Sequence, residues 1–188
     1  MLVAAVGVVL VVIAVVLAMP LFRKAVNELM LPLSYQNVIR QQAAAKHLDP
    51  ALIAAVIDAE TKFDPSTSSA GAVGLMQILP QTAEYLARKS DGYAFTPADL
   101  ATPAVNIAYG SYYLRELLDH YGGNELLAIA AYNGGETNVD SWLTEARADG
   151  HRFVVGDIPF PETRAYVQRV LQAQKDYRRT YPSQLGYS

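Results

Sequence analysis

Glu60 is the residue whose setting most invites chemistry. It closes the run Ala51 to Glu60, which is apolar on nearly every face, so the helix it ends belongs in the interior. The C-terminal end of a helix carries partial negative charge, which disfavours a carboxylate. Burial beside Val56, Ile57 and Phe63 disfavours ionisation further. Both effects push the pKa up. A carboxyl kept protonated near neutral pH can hand a proton to a departing oxygen, the step that glycoside cleavage needs. The plainer alternative is a helix-end glutamate turned to solvent, and the helix alone does not choose between them. Other chemistries have little to work with. The chain has no cysteine, which removes thiolate nucleophiles, thiolate metal sites, disulfides and an acylated cysteine. His47, His120 and His151 lie far apart in no metal-ligand spacing and read as surface residues. No metal or organic cofactor is expected.

The elements that must hold Glu60 can be placed outward from it. Asp49-Pro50 starts its helix, the aspartate able to cap free backbone N–H groups and the proline suited to the first helical position. A modest helix over Val38 to His47 precedes it. Phe63 to Ala72 reads as a loop, with Asp64-Pro65, a serine-rich run and Gly71. A helix from about Gln81 to Lys89 comes next. Thr102-Pro103 opens a longer helix to Tyr121, stopped by Gly122-Gly123. Glu125 to Tyr132 is a further apolar helix ending at Asn133-Gly134-Gly135, and Val139 to Ala148 is a short one. Arg152 to Val155 reads as a brief strand. Pro161 to Tyr181 is a long amphipathic helix with Tyr166, Val167, Val170, Leu171 and Gln174 at helical spacing. The expected fold class is mainly α, one compact domain over residues 35–181 with a tail at 182–188.

The N-terminus is the one extreme segment. Leu2 to Met19 is apolar except for Gly7 and carries no charge, and roughly 20 such residues cross a bilayer as a helix. A signal peptide with a site near Val16-Leu17-Ala18 competes with a retained anchor; the missing basic start and the length of the run favour a single transmembrane anchor over residues 1–22. Residues 23–34 then form a juxtamembrane linker. Arg23 and Lys24 pull weakly towards a cytoplasmic placement of the domain beyond them. Of 188 residues, 15 are Lys or Arg and 18 are Asp or Glu, a net charge of −3, which argues against a nucleic-acid partner.

The residues around Glu60 decide between its two readings. The stretch Glu60-Thr-Lys-Phe63-Asp-Pro65, then Ser69-Ala-Gly71-Ala-Val-Gly74-Leu-Met76-Gln77-Ile-Leu-Pro80-Gln-Thr82, resembles the signature of soluble-lytic-transglycosylase (SLT) domains. Three more blocks stand in the family's order: Asn106-Ile-Ala-Tyr-Gly110 with Tyr113-Leu114 and Leu117-Leu118; Leu127-Ala128 and Ala130-Ala131-Tyr132-Asn133-Gly134-Gly135 with Val139 and Trp142; and Ile158-Pro159-Phe160-Pro-Glu162-Thr163-Arg164-Ala-Tyr166-Val167. The resemblance covers about Leu48 to Tyr177.

That resemblance implies a lysozyme-like α-helical domain, related to goose-type lysozyme, acting on the peptidoglycan glycan strand between N-acetylmuramic acid and N-acetylglucosamine. It implies Glu60 as general acid and then base, with the substrate's acetamido group in place of the second carboxylate that most glycosidases use, and 1,6-anhydromuramyl ends as product. It assigns Ser69 to a hydrogen bond near Glu60 or the acetamido group, Gln77 to the sugar, and Tyr132 to the neighbourhood of the reacting ring. Met76 is a cleft wall or simply core, Asn133 holds a turn or touches substrate, and Tyr166 is a cleft tyrosine or a packing one. Gly71 and Gly74 suit positive φ or close backbone approach, and Glu162 with Arg164 suits a structural ion pair. Thr61, Gly134 and Thr137 depart from the usual serine, alanine and glycine without removing a catalytic group. Peptidoglycan as substrate places the domain on the extracytoplasmic side of the membrane. The competing readings are a goose-type hydrolase, an inactive glycan-binding module and a helical anchored assembly factor.

Overall fold

The computed structural model describes residues 15–20, 22, 26, 30–90 and 94–187. The chain divides into two units, Met1–Leu33 and Ser34–Ser188. In the first, the described residues up to Met30 are helical, and Val15, Val16, Leu17, Met19, Phe22, Val26 and Met30 are exposed. The expected anchor over residues 1–22 lies mostly outside the described residues; among those described, no helix is long and apolar enough to cross a membrane.

The second unit is built around α2 (Pro50–Thr61), preceded by α1 (Gln36–Lys46). Asp49 caps α2 by accepting from the Ala51 N–H, and Pro50 occupies the first turn. Every residue from Ala51 to Asp58 is buried, each large aliphatic side chain contributing about 1.5–3 kcal/mol by leaving water. Lys62 and Phe63 then turn left-handed, at φ 51° and 62°, and end the helix just past Glu60. A short antiparallel hairpin comes after it, β1 (Ser66–Thr67) against β2 (Val73–Gly74), with Ser66 opposite Gly74 and Thr67 opposite Val73. Next come α3 (Pro80–Lys89), a 3-10 turn at Pro97–Ala101, α4 (Pro103–His120), α5 (Glu125–Gly134) and α6 (Glu136–Ala148). A second 3-10 turn at Val155–Asp157 leads to α7 (Pro161–Thr180), which lies along α2 and buries Tyr166, Val167, Val170, Gln174 and Tyr177.

The mainly α expectation holds, with three corrections. The hairpin replaces part of the expected loop; two-residue strands leave no period in the sequence. Arg152 to Val155 pairs with no strand among the described residues, although Phe153 is buried and Val154 exposed in the alternation of a strand. The expected tail is packed. Pro182–Leu185 forms α8, Leu185 is buried, and the Tyr187 hydroxyl donates to Asp49, which also accepts from Arg178 and from Gln174 Nε2 at 2.7 Å. The C-terminus thus fastens to the cap of the Glu60 helix.

Candidate active site

Glu60 sits on the last turn of α2, partly exposed, its carboxyl within electrostatic reach of Tyr132 on α5 and of Tyr166 and Arg169 on α7. Burial pushes its pKa from an ordinary 4.5 up to about 7, while the Tyr166 hydroxyl and the Arg169 guanidinium pull the other way. Among the described residues no second carboxylate bears on it. Asp58, two residues earlier and so on a different helix face, is itself buried with a raised pKa, and its partners are Lys62 and Tyr177.

Tyr166 is 2 % exposed, and its hydroxyl is buried without a hydrogen-bond partner in bonding geometry. It faces the Glu60 carboxyl closely enough for each to shift the other. The two alternatives for Tyr166 therefore merge, since its ring is packed and its Oη points to the site. Arg169, one turn further along α7, places its guanidinium 5.9 Å from the Tyr166 ring centroid. Sequence reasoning missed Arg169; its signal was the i, i+3 spacing from Tyr166.

The segment Val73 to Ile78 faces the same region and is held from all sides. Thr61 Oγ1 donates to the Leu75 carbonyl at 2.9 Å, tying it to the end of α2. The Met76 N–H donates to Asn106 Oδ1 at 2.8 Å, and Asn106 Nδ2 donates to the carbonyls of Val73 at 2.8 Å and Leu100 at 3.1 Å. Tyr132 Oη donates to the Met76 carbonyl at 2.8 Å, and the Tyr132 ring stands 5.3 Å from that of Tyr113. Burial lifts the Tyr132 hydroxyl well above its ordinary pKa, with Glu60 next among the causes. Gly74 has φ 78°, and a Cβ there would lie 2.3 Å from Asn106 Nδ2. Gly71 also takes positive φ, as expected. Asn106, fully buried, is a positioning residue; it stands in the second motif block, where the sequence alone gives it no role.

Met76 is fully buried, its sulfur where a Cβ on Gly110 would collide at 2.4 Å; its side chain is core and not a cleft wall. Gln77 has φ 48° and donates from Nε2 to Gly74 and Ser66 carbonyls at 2.8 and 3.0 Å. Its amide donors brace the hairpin. Ser69 is exposed at the hairpin tip. Asn133 is exposed within the last turn of α5, and the turn it was expected to hold belongs to Gly135, at φ 84°, with Asn138 donating to the Gly134 carbonyl at 2.7 Å. Arg164 clamps the Ile158 carbonyl through Nε and Nη2 at 3.0 and 2.6 Å instead of pairing with Glu162.

A half-sheltered glutamate that burial keeps inclined to hold its proton thus lies between two tyrosines on a helical scaffold. Residues 37–153 match the Transglycosylase SLT domain family, and the chain belongs to that family. It is 36% identical to the soluble lytic murein transglycosylase of Escherichia coli K12 over 152 residues, 78% of this chain and 23% of that protein. Against the Salmonella typhimurium protein the identity is 35% over 151 residues, again 78% and 23% of the two chains. The fold is similar to the X-ray structure of an inactive mutant of lytic transglycosylase Slt from Pseudomonas aeruginosa, with TM-score 0.76, 31% identity, and 84% and 26% of the two chains covered. It is equally similar to the 70-kDa soluble lytic transglycosylase of Escherichia coli, at TM-score 0.76 and 33% identity over 81% of this chain and 25% of that one. The chain thus spans about a quarter of the length of these relatives.

Proposed function

We propose that this chain is a lytic transglycosylase that cleaves the β-1,4 bond between N-acetylmuramic acid and N-acetylglucosamine in peptidoglycan, with Glu60 as its single acid and base. The observation that carries this reading is the Glu60 carboxyl itself: partly exposed, pushed by burial to about 7, and without a second carboxylate bearing on it among the described residues. A group with that pKa is substantially protonated at neutral pH and can also accept a proton back.

In the first half-reaction Glu60 gives its proton to the glycosidic oxygen, and the C1–O4 bond breaks. The substrate's acetamido oxygen bonds to C1 from the opposite face, so no protein nucleophile is needed. The ionised Glu60 then takes the proton of the muramyl 6-hydroxyl, O6 bonds to C1, and the acetamido C1–O bond breaks. The ends are a 1,6-anhydromuramyl residue and a free N-acetylglucosamine 4-hydroxyl, and no water is consumed. Tyr132 fixes the Met76 carbonyl at the site, Tyr166 offers its buried hydroxyl to Glu60, and Gln77 Oε1 with Ser69 supply polar contacts at the hairpin. A goose-type hydrolase would require a positioned water and, ordinarily, a second carboxylate to activate it.

The apolar run Leu2 to Met19 supports a single-pass anchor, with the catalytic domain on the extracytoplasmic side where peptidoglycan lies. Protease accessibility in spheroplasts is the check on that placement, and protection of the domain would refute it. The activity is tested by digesting purified peptidoglycan with the chain and with a Glu60→Gln variant, followed by mass spectrometry of the ends. Anhydromuramyl ends that disappear in the variant are the expected result; reducing muramic ends would replace transglycosylation by hydrolysis.

A further inference from the structure

Arg169 is exposed on α7, and no carboxylate among the described residues pairs with it. Several other cations of the same unit are engaged: Lys62 with Asp58, Lys89 with Glu116, Arg115 with Asp119, Arg178 with Asp49, and Arg164 with a backbone carbonyl. Arg169 instead lies over the Tyr166 ring at 5.9 Å, and that tyrosine, 2 % exposed, turns its buried hydroxyl towards Glu60. The stacking holds a guanidinium fork at the edge of the reacting region, where its charge reaches the carboxyl. A planar fork of this kind matches a carboxylate.

We propose that Arg169 docks a carboxylate carried by the muramyl residue at the scissile bond, and so separates muramyl from plain N-acetylglucosaminyl units. This rests on the function proposed above. Muramic acid differs from glucosamine by a lactyl ether that ends in a carboxyl group, within one sugar ring of the bond Glu60 would protonate. In a naked strand that lactyl carboxylate is free. In a peptide-bearing strand it is amidated, and the nearest anions are those of the stem peptide. Docking the anion would also neutralise the charge that opposes proton retention on Glu60, so the acid is most fully protonated when the right sugar is bound.

The full chain is compared with Arg169→Gln and Arg169→Lys on four substrates: naked strands with lactyl carboxylates free or amidated, and peptide-bearing strands with peptide carboxylates free or amidated. Thermal unfolding of each variant confirms an unchanged fold. Arg169→Gln is expected to raise KM about tenfold on one free-carboxylate substrate while KM on its amidated counterpart stays the same, and Arg169→Lys to restore part of the loss. An effect on the naked pair identifies the lactyl group, and an effect on the peptide pair identifies the stem peptide. An equal fall in kcat on all four substrates, or no change on any, overturns the proposal. Absence of anhydro ends with the unmodified chain would instead overturn the underlying activity, and it is visible before any variant is made.

Discussion

Replacing Glu60 with glutamine should stabilise this protein, and only at neutral and alkaline pH. The glutamate titrates near an ordinary 4.5 in the unfolded chain and at about 7 in the folded one. Between those values the folded state binds the proton that the unfolded state has lost, so stability falls as pH rises through the window and the penalty is complete above it. Each tenfold change in proton affinity is about 1.4 kcal/mol, which gives a ceiling of about 3 kcal/mol. Glu60 keeps part of its surface in water, so about 2 kcal/mol is the expected figure. For a chain of 188 residues that is roughly 5 °C in Tm. Glutamine has the same shape and no titration, so any fixed cost of its amide appears equally at every pH. The assay is thermal unfolding of both proteins from pH 4 to pH 9, with folding reversible. The difference in Tm between variant and parent should grow by about 5 °C from the acid to the alkaline end, with its midpoint between pH 4.5 and 7. A difference independent of pH would mean that Glu60 is not held protonated by burial, and the acid assigned to it would lose its physical basis.

The same geometry sets the pH dependence of the rate and the stability of the loop beside it. The rate of anhydro-end formation, as kcat/KM, should be level below pH 7 and fall about tenfold per pH unit well above it. Tyr166→Phe removes a group that opposes the raised pKa of Glu60, so the falling limb should move to higher pH; movement to lower pH would contradict the placement of its hydroxyl. Asn106→Ala leaves the Met76 N–H and the Val73 and Leu100 carbonyls without their buried partner, which should cost about 3 kcal/mol in urea unfolding. A loss under 1 kcal/mol would show that the segment from Val73 to Ile78 is held by something else.

How much of this was legible in the sequence depends on the distance over which each feature is determined. Helix boundaries set by local chemistry were readable: Asp49-Pro50 and Gly122-Gly123 act within a few residues, and α2 and α4 begin and end close to them. Glu60 was readable because the motif blocks around it chose between the two readings that its apolar helix left open. The contacts of Met76, Gln77 and Asn133 were not. Met76 is reached by Asn106 and Tyr132, 30 and 56 residues away, through tertiary packing; Gln77 bonds two carbonyls of a hairpin that has no period to announce it; and Asn133 simply faces outward. The packed C-terminus was hidden for the same reason, since a single leucine and a tyrosine carry no period.

Several of the residues that define the motif around Glu60 shape the backbone beside it. Gly74 is required because Asn106 fills the space of its absent side chain, and Gly110 because Met76 does the same. Asn106 in turn binds three backbone groups of one short segment and its neighbour, Gln77 braces the hairpin by two carbonyls, and Thr61 locks the segment to the helix end. These bonds converge on the loop beside a single partly sheltered carboxyl. That convergence has a physical rationale: a buried acid loses its raised pKa as soon as the wall over it opens and water enters. The rigid loop and the perturbed acid are therefore one feature, and a substitution in the loop is expected to appear in the pH dependence of the rate as well as in the stability of the fold.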